Sequence, residues 1–268
     1  VTAALALSKV TMRYGGVAAL DDVSVSVAEG SIHAVIGPNG AGKSSLLNVV
    51  SGHARPQRGS LHVAGQDLTG CAAHRIARAG VGRAFQNIAI SAHESVLDNL
   101  MAARYRLTRA GFAATALGLP GVRREARRHE ERVVAIAHLV GLGDKLHSPA
   151  GALSYGQRKR VEIARALCTE PRILLLDEPV AGMPASEKWD IAEIVVSARQ
   201  ALGITVVLVE HDLRVVFAMA EEITVLDFGQ VIAAGSPDAV VESPAVVAAY
   251  LGTHRAAADA GASLARGR

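Results

Sequence analysis

Aromatic residues are scarce in this chain, 3% of 268, so its core has to be assembled from Ala, Val, Leu and Ile. That composition suits a sheet of β-branched strands covered by Ala-rich helices. Cysteine is nearly absent: Cys71 and Cys168 stand in unrelated contexts without metal-ligand or redox spacing, and read as two reduced thiols. No apolar run approaches the roughly 20 residues that cross a bilayer. The opening VTAALAL carries no basic region or cleavage site and reads as the approach to a strand rather than as a signal peptide. Any membrane role therefore has to pass through a partner. A strong charge bias is missing as well, since 28 basic residues against 25 acidic ones leave +3, too little to point to nucleic acid. No pair of histidines has metal-ligand spacing, and His33, inside an apolar stretch, reads as structural.

What the chain does have is order. Its length suffices for one large domain or two small ones. LALSKVTMRYGG alternates like a half-buried strand ending at a Gly-Gly turn, and LDDVSVSVAEGS alternates again with Val23, Val25 and Val27 on one face. IHAVIG reads as a buried strand and GKSSLLNVVSG as a helix stopped by Gly52. The strand GSLHVAG, a turn at Gln66–Gly70, the helix AHRIARAG and the strand VGRAF bring the chain to Gln86. From Asn87 to about Ala150, two helical periodicities, SVLDNLMAARYRL and RREARRHEERVVAIAHLVGL, flank a loose Gly-Pro stretch. After LSYGQ the run RKRVEIARALC is helical and RILLLDEP is a buried strand; helices then alternate with the strands ITVVLVEH, EITVLDFG and QVIAAG. A last helix in SPAVVAAYLG precedes a tail, residues 253–268, with too few bulky apolar residues to pack. The pattern predicts an α/β fold over residues 1–252: a mostly parallel sheet, an added N-terminal antiparallel sheet, and a helical subdomain inserted at about 87–160.

GPNGAGKSS fits the P-loop pattern and lies between a buried strand and a helix, as that pattern requires. Its glycines let the backbone of Gly37, Pro38, Asn39, Gly40, Ala41, Gly42, Lys43, Ser44 and Ser45 curl around phosphates with its N–H groups inward. Lys43 can reach the β- and γ-phosphates of a nucleotide such as ATP, and Ser44 can ligate Mg2+. ILLLDEP ends a buried strand in two carboxylates at the edge where open α/β sheets place ligand chemistry. Asp177 there can hold the metal through its water shell, and Glu178 can polarise an attacking water. Gln86 can touch metal or water, His211 can bond the γ-phosphate and hold Glu178 and the water in line, and Tyr14 can stack on adenine.

One nucleotide needs one cradle, yet a second small polar loop, LSYGQ at Leu153–Gln157, stands about a hundred residues later and leads into a basic helix. P-loop, Gln after a strand, LSYGQ, LLLDEP and a strand-terminal His, in this order, resemble the ATP-binding subunit of an ABC transporter over residues 5–252. The resemblance implies that LSYGQ is the signature motif, which caps ATP held by the other subunit of a head-to-tail dimer through Ser154, Tyr155, Gly156 and Gln157. It also implies Mg-ATP hydrolysis with Glu178, His211, Gln86 and Lys43 as catalytic residues and Ser44, Gln86 and Asp177 around the metal. The implied partners are a second ABC ATPase subunit, identical or not, two transmembrane permease subunits gripping a groove near Asn87–Asn99, and indirectly a substrate-binding protein. The implied location is peripheral, on the cytoplasmic face of the cell membrane.

RYGGVAALDDVS, GRAFQNI, the Arg-rich helical insertion, LSYGQRKRVEIARAL, VEHDLRVV and LDFGQVIAAGSP are similar to the ATPase subunits of branched-chain amino-acid importers, most of all the longer of the two. Amide and urea importers share these features. Two residues depart from the common pattern: Tyr155 where most signatures have Gly, and Pro184 where many relatives carry the Asp of the D-loop. A non-transport ABC ATPase for DNA repair or translation would bring coiled-coil, zinc or second-cassette segments, and none is present. A non-hydrolysing regulator would have lost Lys43 or Glu178. RREARRHEER alternates Arg and Glu at helical spacing and reads as a solvated, self-paired face rather than a nucleic-acid surface.

Overall fold

The computed structural model describes residues 3–85, 88–111, 117 and 120–250. Gln86 and the tail at 253–268 lie outside the described residues. In chain order the elements begin with β1 (Ala3–Tyr14), β2 (Val17–Ala28), β3 (Ile32–Ile36), α1 (Lys43–Val50), β4 (Arg58–Val63), β5 (Gln66–Asp67) and α2 (Ala73–Arg78). They continue with β6 (Val81–Ala84), α3 (Val96–Arg104), α4 (Pro120–Leu139), α5 (Tyr155–Cys168), β7 (Ile173–Asp177) and α6 (Ala185–Leu202). The last are β8 (Thr205–Val209), α7 (Leu213–Met219), β9 (Glu222–Asp227), β10 (Gln230–Gly235) and α8 (Pro237–Val241). The described residues fall into two compact units, one within Val1–Ala79 and Thr205–Arg268, the other within Gly80–Ile204.

The first unit holds two sheets. The antiparallel one has the order β2-β1-β4-β5. Its hydrophobic alternation changes phase in mid-strand: Leu5 and Leu7 are buried, then Val10 and Met12. The cause is a bulge at Lys9, whose backbone turns to φ 49° and whose N–H donates to Ser24 Oγ of β2 at 2.9 Å. In the second sheet β3 pairs in parallel with β8 and with β9, and β10 closes antiparallel on β9. Every residue of β3 and β8 is buried, as expected for central parallel strands covered on both faces.

His33, on β3, is structural as its apolar context suggested. Its Nε2 lies 2.9 Å from Thr224 Oγ1, and its Nδ1 is 3.5 Å from Glu222 Oε2, too long for a good hydrogen bond. Burial lowers its pKa from the usual 6.5, with the Glu222 carboxylate opposing part of that shift. Below that range the unfolded chain takes up the proton more readily than the native one, so folding stability contributed here is present above about pH 6.5 and falls as pH drops through and below it. Urea midpoints compared between pH 7.5 and 5.5 should therefore fall more in the parent protein than in His33→Gln. An equal fall in both would remove His33 as the cause.

The second unit pairs β6 with β7 in parallel and carries α3, α4, α5 and α6. The exposed Arg127–Glu131 pair on α4 (3.0 Å) bears out the self-paired reading of the Arg-rich segment, while Val133, Ile136 and Ala137 form the buried stripe of the same helix. Cys168 closes α5 as a buried thiol whose pKa is pushed up to about 12 by that burial, which keeps it unreactive. The parallel pairs, the antiparallel N-terminal sheet and the helical segment are those expected from the sequence.

Candidate nucleotide site

The first unit builds the phosphate cradle. Val35 of β3 lies opposite Val209 of β8, and Ile36 opposite Val225 of β9, so the loops after all three strands leave the sheet at one edge. Gly37 and Gly42 are held at φ 150° and 104°, and a side chain on either would overlap a backbone carbonyl, that of Leu226 or of Ala19. The β9–β10 turn clamps the loop from the side: Gly229 N–H donates to Ala41 O at 3.0 Å, and Asp21 N–H donates to Gly229 O at 2.8 Å. Lys43 is buried and donates from Nζ to the carbonyls of Gly37 (2.7 Å) and Pro38 (2.9 Å), arching across the loop. No side chain caps α1, whose N-cap is Gly42. Asn39, Gly40 and Ser44 are exposed, Pro38 and Ser45 half-buried.

Tyr14, half-exposed, ends β1 opposite Val17. His211 follows β8 and is exposed; its backbone N–H donates to the carboxylate of Glu210 at 3.1 Å. Glu210 itself is fully buried.

The second unit holds the strand-end carboxylates. Asp177 is 5% exposed, at the end of a strand buried along its whole length. Its Oδ2 accepts from Arg83 Nη2 at 2.7 Å, and its Oδ1 has no hydrogen-bond partner among the described residues. Glu178, next in the chain, takes a left-handed backbone at φ 49°, a conformation that costs a non-Gly residue about 1–2 kcal/mol. That strain turns the chain sharply out of β7.

The signature stretch corrects one expectation. It is not a loop leading into a helix but the helix's own first turn: Ser154 is the N-cap of α5, and Tyr155, Gly156 and Gln157 are its first three residues. A reciprocal capping box sets it, with Gln157 N–H donating to Ser154 Oγ (3.2 Å) and Ser154 N–H donating to Gln157 Oε1 (3.0 Å). Gly156 packs against the Glu187 side chain. Pro184 is the N-cap of α6, with extended backbone. Tyr155 Oη donates to Ala181 O at 3.3 Å beside Gly182, joining the signature turn to the D-loop that Pro184 ends.

Two residues were missed by sequence reasoning. Arg83 is the charged member of an otherwise apolar strand, VGRA, and that contrast was the available signal. Glu210 follows four apolar residues, Val206–Val209, just as Asp177 follows Ile173–Leu176, so the same pattern that singled out one carboxylate could have singled out the other.

Residues 20–181 match the family described as ABC transporter. The chain belongs to that family. As a member it binds nucleotide and hydrolyses ATP. Residues 230–256 match a second family, described as branched-chain amino acid ATP-binding cassette transporter. The cassette is 37% identical over 248 residues to the high-affinity branched-chain amino acid transport ATP-binding protein BraF of Pseudomonas aeruginosa, covering 92% of this chain and 97% of that one. Among solved structures, the ADP conformation of an ABC transporter's ATP-binding cassette matches with a TM-score of 0.82 and 31% identity over 94% of this chain and 100% of that one. A cassette in a dimeric post-hydrolysis state bound to ADP and Pi matches with a TM-score of 0.71 and 25% identity over 87% and 98%. No helix among the described residues is long and apolar enough to cross a membrane.

Proposed function

We propose that this cassette powers an importer of branched-chain amino acids. It works as one half of a head-to-tail ATPase dimer, peripheral to the cytoplasmic face of the membrane, beneath two transmembrane permease subunits that receive cargo from a separate binding protein. The observation that carries this reading is that similarity to a branched-chain transport ATPase runs through nearly the whole of both chains and continues into the segment at 230–256.

In this reading the first unit binds the nucleotide. Tyr14 stacks on adenine, the N–H groups of Gly37–Ser45 cradle the phosphates, and Lys43, already aligned across the loop, supplies charge to the β- and γ-oxygens. His211 bonds the γ-phosphate. The second unit supplies Glu178, whose carboxylate orients the attacking water and takes its proton. In this reading each unit offers Mg2+ an oxygen: in the second, Asp177 has a buried oxygen without a partner among the described residues, and in the first, Ser44 has an exposed hydroxyl in the first turn of α1. When bound, the ion neutralises charge on the β- and γ-phosphates. Gln86, outside the described residues, is the further metal residue proposed from the sequence.

The signature turn serves the partner's ATP. Ser154 Oγ accepts from Gln157 N–H, which leaves its own proton for a γ-phosphate oxygen. Helix geometry gives the Tyr155 and Gly156 N–H groups no intrahelical acceptor, so they face the same anion. ATP thus holds the two surfaces together, and hydrolysis removes the contacts that held them.

The test is to purify Glu178→Gln with ATP and Mg2+ from solubilised membranes of its own source and identify what accompanies it by mass spectrometry. Two multi-span proteins and a second ATPase are expected, and the associated binding protein should titrate with leucine, isoleucine or valine. Titration with amides or urea instead would move the cargo, and recovery of ribosomes or soluble proteins alone would end the importer reading.

A further inference from the structure

β7 ends with a carboxylate that is half engaged. Arg83 lies opposite Leu175 in the parallel β6–β7 pair, and from there its Nη2 reaches Asp177 Oδ2 at 2.7 Å, with the two side chains 9% and 6% exposed. The guanidinium is steadied in turn by Phe85, its central carbon 4.9 Å from the ring centroid. A buried carboxylate is costly without a counter-charge, and Arg83 provides one. A pair built for stability alone would use both oxygens, because a guanidinium can grip a carboxylate with two parallel bonds. Here Oδ1 is left buried and without a partner among the described residues, an arrangement that native proteins seldom keep unless something occupies it.

We infer that Arg83 is a positioning residue for the metal ion of the nucleotide site: by occupying Oδ2 it fixes the Asp177 carboxylate so that Oδ1 faces the ion's coordination shell. The inference rests on the proposed role of Asp177 at that ion. It assigns to Arg83 the work that outer partners do at metal sites generally, orienting a ligand rather than touching the ion.

The test uses the full chain with Mn2+ as the probe and a non-hydrolysable ATP analogue, reading bound metal by electron paramagnetic resonance. Arg83→Met should weaken Mn2+ binding about tenfold or more, the range typical of lost outer partners, while metal-free binding of the analogue in EDTA changes by less than about twofold. Parent-like Mn2+ affinity in folded Arg83→Met would overturn the inference. In an Asp177→Asn background the Arg83→Met change should produce no further loss, because both act through one carboxylate; additive losses would overturn it too. If Arg83→Met does not fold, Arg83→Gln carries the test, with a weakening of several-fold expected and parent-like affinity decisive against it. Asp177→Asn alone separates the two levels: unchanged Mn2+ affinity there removes the role of Asp177 and the inference together, whereas a loss there with none in Arg83→Met removes only the inference.

Discussion

Glu178→Gln should bind Mg-ATP within about twofold of the parent yet hydrolyse it roughly a thousandfold more slowly, because a carboxylate that takes a proton from water contributes about 10²–10⁴ in rate and an amide cannot replace it. Glutamine keeps the size of the side chain and the same left-handed backbone at φ 49°. Stability should therefore be unaltered, and the measurement separates cleanly into nucleotide titration and phosphate release. Glu178→Gly should be as inactive but melt at the same temperature or higher, since glycine removes about 1–2 kcal/mol of αL strain and gives part of it back as unfolded-chain entropy. A lower melting temperature for Glu178→Gly would mean that relief of the strain is outweighed by what the Glu178 side chain contributes. Hydrolysis above about a tenth of the parent rate in Glu178→Gln would mean that another group acts as the base.

The frame of the fold was legible because each element carried its own local signal. β3 and β7 are continuous apolar runs, β2 alternates through Val23, Val25 and Val27, and α1 is announced by the glycine loop before it. The bulge at Lys9 was not legible, since the residue that shifts the register has no unusual composition and shows itself only by the change of buried phase from Leu7 to Val10. The mutual capping of Ser154 and Gln157 was legible but missed, since a Ser followed three residues later by Gln was the spacing to look for. The site residues differ in the same way. Asp177 and Glu178 stood out as candidates because a carboxylate pair at the end of a buried strand is conspicuous. The hold of Arg83 on Asp177 depends on which strands lie side by side, and sequence order separates these two by 94 positions. Tyr155 and Pro184 each read as a separate departure, and only the fold shows that Tyr155 bonds the carbonyl of Ala181, a few residues before Pro184.

Gly42→Ala should abolish measurable ATP binding, whereas Gly40→Ala should weaken it only modestly, though both glycines have positive φ. At Gly40 (φ 82°) a methyl group meets nothing within 4 Å, so the substitution costs backbone strain of about 1–2 kcal/mol and little else. At Gly42 (φ 104°) the same methyl would overlap the Ala19 carbonyl of β2, and it would press on Leu20, which is fully buried. A backbone carbonyl within a paired strand cannot rotate aside as a long side chain can, so the loop has to move instead. That displaces the N-cap of α1 and with it the N–H groups and the Lys43 ammonium that the phosphates require. A shift of about 1 Å in such a site is enough to cost a hundredfold. Isothermal titration with the non-hydrolysable analogue and thermal unfolding should show both effects for Gly42→Ala, a lower melting temperature and lost binding. Tight binding with a parent-like melt would place the phosphates elsewhere than on this loop. That outcome would undo the nucleotide assignment at its base, since each other proposed role is defined relative to phosphates held on this loop.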